Sequence, residues 1–148
     1  MAVDRAGLTD LDALAPLFDA YRRFYGQPAD LHGARIFLGN RLKNNESVIF
    51  LARLDNVPAG FTQLYPCFSS VRARRTWLLN DLYVAEAARK HGVAATLLDA
   101  ARRHGEATGA HELTLQTTRD NTPAQALYEK NGWVRQDGFY WYGLELDS

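Results

Sequence analysis

An α/β fold with a mixed central β-sheet flanked by about four helices is what this chain predicts, and three observations carry the prediction. An apolar strand at Thr76 to Val84, an amphipathic helix from Lys90 to about Thr108 and an alternating strand at His111 to Thr117 follow one another, which implies a parallel strand-helix-strand unit. Two segments with helical spacing precede that unit. Between them and it lie two segments with the two-residue period of a β-hairpin.

The first helix opens at Thr9, because Leu11, Leu14, Leu17, Phe18, Tyr21 and Phe24/Tyr25 recur at helical spacing. Thr9-x-x-Asp12 resembles a capping box, and Gly26 is the stop. Ala29 to about Lys43 repeats the pattern through Leu31, Ile36, Leu38 and Leu42, with a weak point expected at Gly33 and Gly39, each costing about 1 kcal/mol relative to Ala. The hairpin follows as Ser47 to Leu54, a turn at Asp55-Asn56-Val57-Pro58, and Ala59 to Tyr65, with Pro66 expected to end or bend the second arm. The polar stretch Ser69 to Arg75 reads as an exposed loop, and Gly109 stops the crossover helix. A capping Thr122, Pro123 at the first helical position and Gln125 three residues after the cap begin a fourth helix that ends before Gly132. Trp133-Val134 and Phe139 to Leu146 are expected to supply the last strand or two, giving the order ααβββαβαβ. No repeat or second domain is evident, so 1–148 reads as one domain.

Composition narrows the function classes. With 148 residues and 47% hydrophobic content, the chain suits one compact soluble domain with a real core. No apolar run approaches the roughly 18 to 20 residues that span a bilayer, and Met1-Ala2-Val3-Asp4-Arg5 lacks the order of a signal peptide, so a cytoplasmic location without a membrane partner is expected. Cys67 is alone, which excludes an intrachain disulfide and points to a buried or half-buried thiol. His32, His91, His104 and His111 show no metal-ligand spacing, and no metal is expected. Seventeen basic residues balance seventeen acidic ones, which argues against a nucleic-acid partner. Arg72, Arg74 and Arg75 form a local cluster whose ordinary fate is a solvated loop, with a carboxylate or ribose phosphate as the alternative.

Gly92 stands just before the crossover helix, where a residue without Cβ lets the backbone approach a ligand while the first helical N–H groups point outward. Such a helix start is an anion site suited to a pyrophosphate. Neither a dinucleotide-binding GxGxxG nor a P-loop GxxxxGK[ST] is present. Along the helix Val93, Leu97, Leu98, Ala101 and Ala107 form the inward stripe, and Asp99, Arg102, Arg103 and Glu106 the outward one.

Arg89-x-x-Gly92-x-Ala94, set directly after Leu82-Tyr83-Val84, matches the Arg/Gln-x-x-Gly-x-Gly/Ala motif of the GNAT superfamily of N-acetyltransferases, which the chain thus resembles. Asn121-Thr122-Pro123-Ala124 through Tyr128 to Gly132-Trp133 is similar to that family's Asn-x-x-Ala/Ser-x-x-x-Tyr segment. Leu79 to Val84 looks closest to a small branch typified by yeast histone and D-amino-acid acetyltransferases. The resemblance implies the acyl-CoA N-acyltransferase fold and acetyl-CoA as acyl donor. It assigns cofactor contacts to the backbone of Leu82, Tyr83 and Val84, to the loop Arg89, Lys90, His91 and Gly92, and to Val93, Ala94 and Ala95 at the helix start. Asn121 and Ala124 would meet the pantetheine arm, and Tyr128 would face the sulfur.

The family's reaction is direct attack of a neutral primary amine on the thioester, so the site orients two substrates, polarises a carbonyl and protonates a thiolate. Tyr128, a phenol with an ordinary pKa of about 10 against about 8.5 for a thiol, suits the acid. The base is open. Diamine acetyltransferases have Glu where this chain has Asn80, an amide that cannot hold a proton, and Asp81 points to the opposite strand face unless the strand is bulged. A water chain or an amine arriving neutral stands beside them. The acceptor walls implied are Tyr21, Tyr25, Tyr65 and Trp77, with Asp81 and Tyr140 nearby.

The expectation is therefore an acetyl-CoA-dependent N-acetyltransferase for a small-molecule amine such as an amino acid or polyamine. The alternatives are a catalytically inactive acyl-CoA-binding sensory module, a protein-lysine acetyltransferase, or an aminoacyl-tRNA acetylating toxin, the last opposed by the balanced charge. Phe139 to Leu144 is apolar on both faces, more than a terminal edge should expose, which predicts a homodimer.

Overall fold

Two short polar residues in the left-handed region shape the centre of the sheet. Asp55 and Asn56 have φ of 52° and 64°, the geometry of a two-residue hairpin turn whose twist matches its strands. They join β2 (Val48–Leu54) to β3 (Val57–Ser69). The turn is thus shorter than the expected Asp55 to Pro58, and β3 runs past Pro66 instead of ending there. Pairing of β2 with β3 stops at Val48 and Leu64, so beyond that point β3 has only β4 (Arg74–Val84) beside it. A proline is tolerated where one side of a strand is open. Cys67 lies on the same overhang and is exposed, not buried.

The computed structural model describes residues 1–147, which fall into two units, Met1–Gln116 and a second from Thr117 onward. In the first unit the sheet order is β1-β2-β3-β4-β5, antiparallel except for β5 (Glu112–Thr114), which runs parallel to β4. The sequence reading missed β1 (Ala2–Arg5), which pairs antiparallel with β2. Only Val3 of its four residues is even half-buried, so it has almost no alternation to detect. The expected loop at Ser69 to Arg75 shrinks to a turn at residues 70–73. Arg75 stacks over Phe68 and Trp77 at 4.3 and 5.2 Å, and Arg74 donates to the Gly109 carbonyl at 3.1 Å.

Helices α1 (Leu11–Phe24) and α2 (Leu31–Lys43) cover one face, burying Leu14, Phe18 and Leu38 against Ile49, Leu51 and Phe61. Helix α3 (Val93–Ala107) covers the other, where Val93 and Leu97 meet Ala52 and Ala59. Its inward stripe is as expected except for Ala107, which is exposed in the last turn. Outside, Asp99 pairs with Arg102 and Arg103.

The helix ends differ in detail from the expected caps. A 3-10 turn at Leu8–Asp10 precedes α1, and Asp10 rather than Asp12 reaches back, accepting from Gly7 N–H at 2.8 Å. Asp12 pairs with Arg35 of α2. Helix α2 is unbroken: Asp30 caps it by accepting from Gly33 N–H at 2.9 Å, and the carboxylate lies where a Cβ on Gly33 would be.

The second unit holds α4 (Thr122–Lys130), so the described order is βααβββαβα. No residue of 131–147 is in a helix or strand, which corrects the expectation for Trp133-Val134 and Phe139 to Leu146. Phe139, Tyr140, Trp141, Tyr142, Leu144 and Leu146 are each at least 80% exposed. A strand requires a ladder partner for its backbone, and among the described residues none is paired there.

Candidate active site

One inserted residue decides where the acid of this site points. Gln63 pairs with Asp81 and Leu64 with Leu79, which leaves Asn80 as an extra residue on β4. Such a bulge reverses side-chain alternation beyond it. Before the bulge, Trp77 is buried toward α3, its Nε1 donating to Thr108 Oγ1 at 2.9 Å. Plain alternation would carry Asp81 to that face too. The bulge turns it to the α1 face, the side on which Tyr83 packs against the α1–α2 core. Asn80 and Asp81 then touch, Asn80 Nδ2 donating to Asp81 Oδ1 at 2.9 Å.

Asp81 is 3% exposed, and two side-chain amides donate to its carboxylate. Gln63, directly across the ladder, donates from Nε2 to Oδ2 at 2.6 Å. Asn80 holds Oδ1, and the Tyr21 hydroxyl, which donates to the Asn80 carbonyl at 3.5 Å, stands beside the carboxylate and adds to the pull on it. Burial raises the Asp81 carboxyl above its ordinary range, and the hydrogen bonds, that from Gln63 foremost, pull it back without cancelling the rise. A buried carboxylate with a raised pKa in a specific polar setting has the properties of a general base.

The tyrosines respond in kind. Burial first, then the charge of Asp81, pushes Tyr21 far above an ordinary phenol. The same two causes push Tyr65 up to about 12, against the opposing influence of Arg41. Both are hydrogen-bond donors at neutral pH. Tyr25 stands edge-on to Tyr21 at 5.1 Å and is mostly exposed. Tyr21, Tyr25, Tyr65 and Asp81 are thereby gathered on one face of the sheet. Trp77 is not with them, since it lies on the α3 face between Thr108 and His104. Tyr140 belongs to the exposed tail of the second unit.

Within the first unit β5 pairs with β4 only at Thr76 to Leu78, so beyond Leu78 the far edge of β4 carries no other strand of that unit. From Leu79 to Val84, including Leu82 and Tyr83, β3 is the only strand paired with β4 among the described residues. The loop that follows is bent by two left-handed residues, Lys90 at φ 67° and Gly92 at φ 76°. Nothing lies within 4 Å of a Cβ placed on Gly92, so the glycine is required for its φ and leaves open space at the start of α3. Arg89 Nε donates to the Val84 carbonyl at 3.2 Å, and His91 Nδ1 lies 2.8 Å from the Arg89 carbonyl, tying the loop to the end of β4. The first N–H groups of α3, from Val93, Ala94 and Ala95, face out of the helix end as at any helix start. Left-handed residues alternating in this way beside a helix start are the kind of backbone whose N–H groups can take a phosphate.

In the second unit Asn121, not Thr122, caps α4. Its Oδ1 accepts from Ala124 N–H at 3.3 Å, which places Thr122 and Pro123 inside the first turn and leaves Nδ2 as the donor for any ligand. Tyr128 lies two turns on, its ring 6.2 Å from that of Trp133.

Two residues of the first unit's site escaped sequence reasoning. Gln63 is wholly buried on β3, and Ser47, just before β2, donates from Oγ to Gln63 Oε1 at 2.8 Å. A readable sign was available for Gln63: it shares the parity of Phe61 and Tyr65, a polar residue in an apolar row.

Comparisons with known proteins bear on the family and the fold. The sequence model of the Acetyltransferase (GNAT) family matches residues 14–133. An uncharacterized N-acetyltransferase, YhfO, of Bacillus subtilis (strain 168) is 47% identical over 148 residues, covering 100% of this chain and 99% of that protein. The crystal structure of a probable acetyltransferase superposes with a TM-score of 0.94 at 43% identity, covering 100% of this chain and 99% of the other. An aminoglycoside N-acetyltransferase, AAC(6')-Iy, solved in complex with CoA, shares the fold at 23% identity with a TM-score of 0.78, over 97% of this chain and 93% of its own. With its family model spanning most of the sequence and a relative alike over its whole length, this chain belongs to the GNAT family of acetyltransferases.

Proposed function

We propose that the chain is an acetyl-CoA-dependent N-acetyltransferase for a primary amine of a small molecule, an amino acid, polyamine or related amine, working in the cytoplasm as one domain. The observation that carries the reading is Asp81, turned by the bulge into a tyrosine-lined face beside the open edge of β4. The CoA held by an aminoglycoside N-acetyltransferase of the same fold supports the choice of donor. Acetyl-CoA supplies an activated acyl group as a thioester.

In this reading Asp81 accepts the proton of the attacking amine, either directly or from the ammonium before attack. Asn80 is a donor that holds Asp81 and not a base, since an amide cannot carry the proton. Tyr21, Tyr25 and Tyr65 line the acceptor's approach. Backbone N–H groups at Leu82 to Val84 polarise the carbonyl, and the Arg89 to Ala95 loop and helix start hold the pyrophosphate. In the second unit, taken by itself, the family resemblance gives Asn121 Nδ2 and the Ala124 turn to the pantetheine and Tyr128 the proton for the leaving thiolate. Among the described residues no helix is long and apolar enough to cross a membrane.

The test is free-thiol release from acetyl-CoA across polyamines, L- and D-amino acids, aminoglycosides and lysine peptides, beside calorimetric acetyl-CoA binding. Release with one small-molecule class names the acceptor. Release with peptides alone replaces it by protein lysine, and tight binding with no release anywhere makes the chain an acyl-CoA-binding module. Tyr128→Phe should keep acetyl-CoA binding and lose turnover, and unchanged turnover removes the acid assignment. The exposed aromatic tail at 139–146 supports a homodimer that covers it. Sedimentation should give a dimer, and a monomer at every concentration refutes that part.

A further inference from the structure

We propose that Gln63, oriented by Ser47, is the positioning residue of the site, aiming the Asp81 carboxylate and holding it as the anion. The inference rests on Asp81 as proton acceptor. Gln63 is 0% exposed and Ser47 4% exposed, and a buried amide is costly beside an apolar residue of equal size unless its partners require it. Here both ends are engaged, Nε2 with Asp81 Oδ2 at 2.6 Å and Oε1 with Ser47 Oγ at 2.8 Å.

The chain of bonds has a direction. An ionised carboxylate only accepts, so the amide must present its N–H, and its oxygen must then face Ser47. The Ser47 hydroxyl is buried and finds an acceptor in Gln63 Oε1, which biases the amide toward that orientation. With Oδ2 accepting from Gln63 and Oδ1 from Asn80, a proton added to the carboxylate weakens the bond to an N–H donor that the anion accepts in full. The arrangement therefore favours the form that can accept a proton. The other groups facing Asp81 are Tyr21 from α1 and Tyr65 from β3, with the Arg41 cation of α2 acting on Tyr65.

The experiment follows the Asp81 carboxyl carbon by NMR as pH is varied in the full chain, with Asp81→Asn to assign the signal. Gln63→Met keeps the shape and removes the donor, and should raise the Asp81 proton affinity about tenfold or more. Ser47→Ala should move it in the same direction by less, while Ser47→Thr stays with the parent. The acid limb of kcat/KM for the acceptor found in the thiol-release panel should shift in step, which a packing role alone would not cause. An Asp81 midpoint unmoved in both Gln63→Met and Ser47→Ala overturns the proposal, and Ser47→Ala serves if Gln63→Met fails to fold. A shifted midpoint without transfer to any amine leaves the positioning intact and overturns the proposed function instead.

Discussion

The two faces of β4 hold buried polar groups under opposite terms. On the α1 face, Asp81 has Gln63 and Asn80 as donors, with the Tyr21 hydroxyl beside them. On the α3 face, Trp77 donates to Thr108, and Thr108 in turn donates to the His104 carbonyl at 2.9 Å, but His104 Nε2 is buried without a partner among the described residues. Burial acts alike on both titratable groups, pushing Asp81 up and His104 down toward their neutral forms, with Arg5 adding to the fall of His104. Only Asp81 has donors that resist the push. Desolvation acts on both groups, and the aimed hydrogen bonds that oppose it at Asp81 alone are what the proposed function rests on.

The sharpest way to break that contrast is Asp81→Asn. Transfer to the acceptor should fall by about 10²–10⁴-fold, the span of general base catalysis, while calorimetric acetyl-CoA binding is unchanged. Retained turnover would leave Asp81 as another buried polar residue. On the opposite face, Trp77→Phe removes the bond to Thr108 and should cost about 1 kcal/mol in urea denaturation with no change in thiol release. A change in KM for the acceptor would return Trp77 to the substrate side.

The smallest effect is in the pH dependence of stability. His104 has a folded pKa below its ordinary value of about 6.5, so the unfolded chain takes the proton first, and stability present above about pH 6.5 is lost as pH falls through the folded value. His104→Phe should lessen the drop in denaturation midpoint between about pH 7.5 and about pH 5.5. Asp81 runs the other way. Its raised folded pKa gives stability that is present below about pH 3.9 and lost as pH rises through the folded value. A pH profile that His104→Phe leaves unaltered would place the acid-side loss elsewhere.

Much of the architecture was legible because periodicity reports local geometry. The helices at α1, α2, α3 and α4, the hairpin and the parallel β4–α3–β5 unit all follow from spacing. What failed were elements with little periodic signal or no pairing: β1 with one half-buried residue, and the aromatic tail, whose strand-like pattern is unpaired among the described residues. Capping was misplaced by a residue or two at Thr9, Asp12 and Thr122, since competing Asp and Asn side chains stood close by.

By itself the sequence determined the family, the loop from Arg89 to Ala94 and the Asn121 to Tyr128 segment, because those depend on residue type at fixed short spacing. Tertiary structure alone decided that Asp81 faces α1 with Tyr21, and that Ser47 and Gln63 stand behind it. The physical reason is the single extra residue at Asn80: strand alternation read along the chain points Asp81 to the wrong face, and a bulge exists only in the register between two strands.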